Sequence, residues 1–258
     1  MKQFIAFTKK EFFESHATYR VYILLVVFAI FGVMGPMMAL LTPVIFEMMA
    51  AELAAAGMVI TPTEPTALDS WTQFFGTFAQ MGTLAIAIIF SGIMANELNR
   101  GTLVNLLTKG LKRHTVILAK LFSATVLWTI AMVFSVSIAY MYTAFYFETE
   151  AMPYFILTFG APWIFGIFLI TLLIFGGTVF GNFYGALAIC IGTFFALILV
   201  NIVPAAARFN PATLAGGTLG LLTDASTPAD IIPAVVVSVI SIVCLVLGSI
   251  IVFNKKTV

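Results

Sequence analysis

Charge is what this sequence has least of. Only 9% of its 258 residues are Asp, Glu, Lys or Arg, whereas 62% are hydrophobic and the mean hydropathy is +1.12. A soluble domain typically has about 25% charged residues and ~45–50% apolar ones. A single core in water cannot bury so much apolar surface, so the composition predicts an integral membrane protein.

Cysteine and nucleotide-binding motifs are also scarce. The two cysteines, Cys190 and Cys244, lie within apolar runs, which favours buried free thiols over a disulfide framework or a zinc site. No G-x-x-x-x-G-K-[ST] phosphate loop occurs, so we do not expect an enzyme that hydrolyses ATP by that route. We expect no cofactor and no metal site. The net charge of +1, without a basic block, gives no reason to expect a nucleic-acid partner.

Long uncharged runs are the strongest feature that is present. Each is near the ~20 residues that a spanning helix needs, so we predict an all-α polytopic fold with six transmembrane helices. Because the runs contain no Asp, Glu, Lys, Arg or His, they disfavour an ion-coupled carrier, a hydrophilic pore and a membrane metalloprotease. The runs are 21–42, 72–95, 121–146, 153–180, 186–207 and 232–253.

Two of the runs are preceded by signals that start helices. Ser70 with Gln73 three residues later predicts a capping box ahead of the second run. Thr227, followed by Pro228 and Asp230, predicts the start of the sixth helix.

The basic residues predict the orientation. Eleven of the twelve lysines and arginines fall in segments 1–20, 96–120 and 254–258, and only Arg208 falls on the other side of the predicted spans. The positive-inside rule therefore places both ends of the chain in the cytoplasm and makes the protein a multi-pass protein of the cell membrane. A cleaved signal peptide is the alternative for the first run. That run is too long and starts too far along the chain for one.

Residues 1–20 predict a helix that lies in the inner membrane interface. Aromatic residues such as Phe4, Phe7 and Phe12 alternate there with charged ones such as Lys10, a pattern typical of interfacial helices that contact lipid. The pattern is equally compatible with a simple lipid anchor and with a docking element for a cytoplasmic partner.

The loop 96–120 contains a short amphipathic segment. Glu97 and Arg100 are three residues apart and placed to pair, and Gly101 and Gly110 bracket the segment where the chain can turn sharply. On physical grounds the segment is either an ordinary interfacial helix or a knob for a soluble partner. Its apolar face consists of Leu103, Leu106, Leu107 and Leu111.

The same loop resembles the permease subunits of ABC-2 type transporters. In that family an acidic residue ends the second helix and is followed by a G-T-(L)-x-x-L-L-(T) stretch, a basic turn and an I-L-x-(A/G)-K run. The order of KKEFFE, a first membrane helix, an acidic outer loop and NELNRGTLVNLLTKGLKRHTVILAK is similar. The matching positions are Glu97, Gly101, Thr102, Leu103, Leu106, Leu107, Thr108, Arg113, Ile117, Leu118 and Lys120.

The resemblance implies that residues 1–258 form one permease domain of a half-transporter. Two permease chains, as a homodimer or heterodimer, would sit above two separate ABC ATPase (nucleotide-binding) subunits. Segment 96–114 resembles the coupling helix, segment 1–20 the connecting helix, and loop 204–231 the short outer gate helices, with a start at Asn210–Pro211 and a break at Gly216–Gly217. The implied coupling residues are Glu97, Arg100, Gly101, Thr102, Leu103, Leu106 and Leu107, and the implied connecting-helix residues are Phe4, Phe7, Lys10 and Phe12.

Other functions remain open. A non-transporting immunity or sensing protein is the main alternative, because the acidic loop 43–70 suits a cationic extracellular peptide. A passive channel is the third. Within the runs, Gln80, Asn182 and Asn201 are expected to link helices. Trp71 is expected to anchor the second helix at the membrane interface.

Overall fold

The computed structural model describes residues 2–55, 64–99, 101–148, 154–223 and 225–256. Over these ranges the regular elements are helices, and none is a strand. Six of the helical stretches found there are long and apolar enough to cross a membrane, which confirms the predicted all-α polytopic fold. They are Arg20–Ala50, Ala67–Asn99, Arg113–Tyr146, Phe155–Phe180, Phe183–Val200 and Pro228–Lys255.

We number the α-helices in chain order. The second span is composite: α3, a π-helical segment at Phe78–Gly82, α4 and α5 follow one another along it. Two 3₁₀ helices, Pro211–Ala215 and Gly217–Leu221, lie between α10 and α11. The α-helices are α1 (Lys2–Ala17), α2 (Arg20–Ala55), α3 (Ala67–Thr77), α4 (Thr83–Phe90), α5 (Gly92–Asn99), α6 (Thr102–Thr108), α7 (Arg113–Tyr146), α8 (Phe155–Phe180), α9 (Phe183–Val200), α10 (Pro204–Ala207) and α11 (Pro228–Lys255).

Helix α8 is the centre of the bundle. It packs against α4, α5, α7, α9 and α11, and most of its side chains are buried. Gly166 allows the closest approach, because a Cβ there would lie 2.4 Å from the indole ring of Trp128 on α7. The Trp128 indole N–H donates to the carbonyl of Trp163 at 3.0 Å, so this large side chain is both packed and satisfied.

The second span starts earlier than the sequence predicts. Its capping box is formed by Thr66 and Asp69, and the predicted box at Ser70 and Gln73 is wrong. Ser70 lies inside the helix, where its hydroxyl is hydrogen-bonded to the Thr143 hydroxyl at 2.7 Å. Ser70–Gln73 and Thr66–Asp69 both have a hydroxyl residue followed three positions later by a polar one. The pair that caps the helix is Thr66–Asp69, whose second residue carries a full negative charge.

Trp71 is also placed differently from its prediction. It is only 2% exposed and packs within an aromatic cluster instead of facing the membrane interface. Its ring lies edge-to-face with Phe74 at 5.8 Å and with Phe159 of α8 at 5.2 Å between centroids. This cluster joins α3 to α8 at the end of the bundle opposite α1.

Two predicted spans have different ends. Helix α2 continues past the predicted limit at residue 42 to Ala55, because Pro43 costs only local hydrogen bonds and good helix formers follow it. Helix α9 ends at Val200 instead of residue 207, and Pro204 starts the separate α10. The predicted start of the sixth span is confirmed, with Thr227 and Asp230 forming a capping box.

The loop 204–231 is folded into short helices. Asn210 accepts a hydrogen bond from the Ala212 N–H at 3.0 Å, and its own amide donates to the Asn201 side chain at 2.7 Å. The helix start at Asn210–Pro211 is thus as predicted, and Gly216 separates the two 3₁₀ helices. Asn210 and Asn201 together tie this loop to the end of α9.

Candidate functional site

The first and last described residues meet at one end of the bundle, which we call the basic end. Here α1 packs across α7 and α2, and a left-handed turn at Tyr19 (φ 58°) leads from α1 into α2. Phe7 on α1 is 5% exposed, and Phe4 lies edge-to-face with Phe122 of α7 at 5.8 Å. Phe12 is half-buried against the core, so one face of α1 is part of the protein's interior.

A buried ion cluster lies under α1. The Lys120 ammonium of α7, 1% exposed, donates to both carboxylate oxygens of Glu11 at 3.0 Å. The same ammonium lies 2.8 Å from Glu97 Oε2, an ion pair without the alignment of a hydrogen bond. Lys120 therefore joins α1 to the end of the second span.

Lys10 completes the cluster from the solvent side. Its ammonium donates to the other Glu97 oxygen and to Glu11 Oε1 at 3.1 Å, and it lies 2.5 Å from Glu14 Oε2. Arg20 interacts electrostatically with Glu11 and Glu14. Three carboxylates thus share three cationic side chains, which is the pairing that buried charges require.

Carboxylate oxygens of Glu11, Glu14 and Glu97 lie within 4.8 Å of one another, a spacing that also suits a metal ion. In this structure the ammonium groups of Lys10 and Lys120 bind those oxygens. The chemistry of the group is therefore that of an ion-pair network, and the oxygens already have their cations.

Glu14 shows the effect of this network on ionisation. Partial burial raises its pKa, but the hydrogen bond from Lys10 and the charges of Lys10, Lys120 and Arg20 outweigh burial and lower the pKa overall. The carboxylate form therefore favours the docked α1. Its contribution is present above the ordinary pKa near 4.5 and is lost as the pH falls through the lowered value.

The predicted coupling helix 96–114 is three pieces rather than one. Helix α5 ends at Asn99, the seven-residue α6 follows, and α7 begins at Arg113. Gly101 (φ 64°) and Gly110 (φ 89°) both adopt left-handed conformations at the junctions, as their predicted turning role requires.

The leucines of α6 face inward, which corrects one prediction. Leu103 is 0% exposed and belongs to the chain's own core, so it is not available to fill a cleft in a partner. Leu106 and Leu107 are half-buried against the same core. Among the residues of 102–112 whose burial is described, the exposed ones are Thr102, Thr108, Lys109, Gly110 and Lys112.

Arg100 lies outside the described residues, so its predicted pairing with Glu97 stays a prediction. The described ionic partners of Glu97 are Lys10 and Lys120. Gln3 of α1 donates to the carbonyl of Gly110 at 3.1 Å, which links α1 directly to the turn after α6.

A second set of contacts fastens the last residues of the chain. The Arg113 guanidinium donates to the carbonyls of Phe253 and of Lys256, the latter at 2.7 Å, and lies 5.4 Å from the Phe253 ring centroid. Lys256 in turn donates to the carbonyl of Thr178 at 3.0 Å. Two cations thus satisfy carbonyls at the ends of α11 and α8, where the helix dipole favours positive charge.

Sequence reasoning identified Lys10 and Glu97 but missed Glu11, Glu14, Arg20 and Lys120 as members of the site. Lys120 carried a usable signal: it stands seven residues inside α7, next to a long apolar run, where a lone ammonium needs a partner. Glu11 gave no comparable signal, because exposed and buried carboxylates look alike on a mixed amphipathic helix.

Taken together, these contacts make the basic end the place where α1, the second span and the third span are joined. The ion cluster joins α1 to the end of the second span and the start of the third, and Gln3 joins α1 to the turn at Gly110. Charge-assisted contacts therefore hold α1 to both spans.

Comparison with known proteins gives a similarity to an uncharacterized protein and does not show a family. The chain is 25% identical over 218 residues, which cover 83% of each chain, to the "Uncharacterized transmembrane protein YxlG" of Bacillus subtilis (strain 168). No protein-family model matches the chain. The fold and this similarity together make the chain a multi-pass membrane protein.

Proposed function

We propose that the chain is the membrane permease subunit of an ABC-2 type exporter. It spans the cell membrane six times with the basic end in the cytoplasm, works as a homodimer or heterodimer, and is driven by separate ABC ATPase subunits. The sequence of the 96–120 loop, the six spans and the concentration of lysine and arginine at one end support this proposal.

The ion cluster is the observation that carries the proposal. An ATP-driven exporter has to convert movement of a cytoplasmic partner into movement of membrane helices. Glu11, Glu97 and Lys120 connect the interfacial helix α1 to the second and third spans by contacts of 2.8–3.0 Å. A push on α1 therefore moves both spans together.

The surface for the ATPase is the turn after α6 rather than the leucine face. Leu103 and its neighbours pack on the core, so α6 is held firmly against the membrane-spanning helices. Lys109, Gly110 and Lys112 are exposed beyond it, and Gly110 is tied to α1 through Gln3. Gly101 and Gly110 set the direction of the chain before and after α6.

Purification of the tagged chain from membranes of its host tests the assembly. We expect an ABC ATPase to co-purify, and the reconstituted complex to hydrolyse ATP at a rate that depends on the permease. Lys109→Glu, at the proposed contact, should lower the recovery of the ATPase several-fold. Lys255→Glu is the charge-matched control, because Lys255 is also exposed at the basic end, on α11, and lies outside the proposed contact.

The alternatives predict different results. Recovery of the chain without any ATPase, or equal recovery with Lys109→Glu and Lys255→Glu, contradicts the coupling role. Binding of a cationic peptide without ATP turnover supports the sensing or immunity protein, and ion flux without ATP supports the channel. In the acidic segment that the sensing role would use, Asp69 is already engaged in capping Thr66.

A further inference from the structure

The outer half of the second span has an unusual exposed face. Thr72 and Gln80 are exposed along it, and Gln73 and Thr77 are half-buried beside them. Gly76 lies on the same face, and no atom lies within 4 Å of the position that a Cβ would take there. We call these five residues the polar strip.

Gln80 lies near the middle of the second span. It is 14 residues from the cap at Thr66 and 17 residues from Glu97, so at about 1.5 Å per residue it is ~21 Å and ~26 Å from the two ends of the span. None of the described residues hydrogen-bonds to its side-chain amide. Lipid offers no partner for an amide at this depth.

The exposed faces of other spans are apolar at comparable depth. Val26 and Ile30 are exposed on α2, Ile130 on α7, and Val239 and Val243 on α11. These faces suit hydrocarbon, whereas the polar strip does not. The strip therefore faces something other than lipid.

A π-helical segment, Phe78–Gly82, contains the last residue of the strip. Phe78 at its start is buried and packs on Trp128 at 5.8 Å between centroids. Gln80, two residues further along, is turned away from the core. Such bulges are frequent at functional positions in helices.

We propose that the polar strip is the contact surface for a second copy of this chain, with Gln80 of each copy hydrogen-bonded to Gln80 of the other. A primary amide carries both a donor and an acceptor, so two of them related by a two-fold axis satisfy each other. Gly76 leaves room for close approach of the two backbones, and hydrogen bonds between polar side chains stabilise helix pairs in membranes. The inference rests on the proposed dimeric permease and places its interface.

Cysteine cross-linking in native membranes tests the contact. Cys244 is exposed and is first replaced by serine, while Cys190 is buried and can remain. Gln80→Cys in this background should give a disulfide-linked dimer after oxidation with copper phenanthroline, because the two-fold contact brings the Cβ atoms together. Ile130→Cys is the matched control: it is also exposed near mid-membrane but lies on an apolar face. It should stay monomeric.

Two outcomes overturn the inference: no dimer from Gln80→Cys, or a cross-link to a different protein. A second measurement avoids reliance on the cysteine. Gln80→Leu should lower the dimer fraction of the purified protein several-fold, and Gln80→Asn should retain it. Equal dimer fractions for both variants also overturn the inference.

These results are separable from the test of the exporter. A Gln80 cross-link without a co-purified ATPase supports the dimer contact and contradicts the transporter. A co-purified ATPase without the cross-link supports the transporter and removes this surface as its dimer contact.

Discussion

At the scale of single residues, substitutions in the ion cluster at the basic end are expected to cost the most stability. Lys120 is 1% exposed and is the shared partner of Glu11 and Glu97, both of which are also buried. Removal of one partner from a buried ion pair leaves an uncompensated charge and typically costs about 3–5 kcal/mol. The cluster thus stabilises the docked α1 only while it is complete.

We expect Lys120→Met to lower the free energy of unfolding in detergent by roughly that amount, measured from thermal or denaturant unfolding. Lys10→Met is the matched control, and its effect should be clearly smaller because the Lys10 side chain is 39% exposed and water can replace it. Equal effects of the two single variants would show that the buried ammonium is not the centre of the cluster.

A second residue-scale prediction concerns the packing of α7 on α8. A Cβ at Gly166 would meet the Trp128 ring at 2.4 Å, which is too close for any adjustment short of moving the helices. Gly166→Ala should therefore destabilise the protein by about 1–3 kcal/mol in the same unfolding assay.

Gly160 on the same helix provides the comparison. No atom lies within 4 Å of its Cβ position, so Gly160→Ala should be neutral or stabilising by up to ~1 kcal/mol, because alanine is the better helix former. If Gly160→Ala is as harmful as Gly166→Ala, the effect comes from α8 itself and not from the contact with Trp128.

At the scale of elements, the end of α11 depends on a side chain from α7. Arg113 donates to the carbonyls of Phe253 and Lys256, and hydrogen bonds to charged groups are worth about 1.5–3 kcal/mol each. Arg113→Ala should therefore speed amide hydrogen exchange in the last turn of α11 roughly tenfold or more, measured by mass spectrometry.

Lys112→Ala, a loss of the exposed neighbouring cation, should leave that exchange unchanged. Faster exchange along the whole of α11 in Arg113→Ala would instead indicate that the entire helix undocks.

The number of membrane-spanning helices could be predicted well from the sequence, whereas the residues at which they begin and end could not. An uncharged run of 20 residues has one stable solution in lipid, so the six spans follow from hydropathy. Helix ends depend on weaker local terms, and these terms misplaced the capping box at Ser70 and stopped α2 thirteen residues before Ala55. The π-helical segment Phe78–Gly82 was not predicted from the sequence.

The candidate site was predictable only in part, for a similar reason. The spacing of Leu103, Leu106 and Leu107 establishes that they share a face of a helix, but not whether that face meets a partner or the chain's own core. In the structure, these leucines pack against the chain's own core. The ion cluster depends on three elements meeting in space, and a single sequence without homologues does not show which of its charges meet.

At the scale of the whole molecule, the testable property is orientation. The first and last described residues lie at the basic end, and the charge pattern predicts that this end is cytoplasmic. Green fluorescent protein fused after Val258 should therefore fluoresce, and alkaline phosphatase fused at the same point should be inactive.

Fusions after Glu148, at the opposite end, should behave in the reverse way. An active phosphatase after Val258 would place the basic end outside. It would then exclude contact between Lys109 and a cytoplasmic ATPase.

The placement of the ionisable groups has an electrical consequence. In the described spans, Asp, Glu, Lys, Arg and His occur only near the two ends, and the cluster at the basic end pairs three acids with three bases. A membrane potential of 100 mV does about 2.3 kcal/mol of work on each elementary charge that crosses the field, and nothing on charges that stay outside it. A movement of these helices would therefore carry almost no gating charge, and the voltage across the membrane would do almost no work on it.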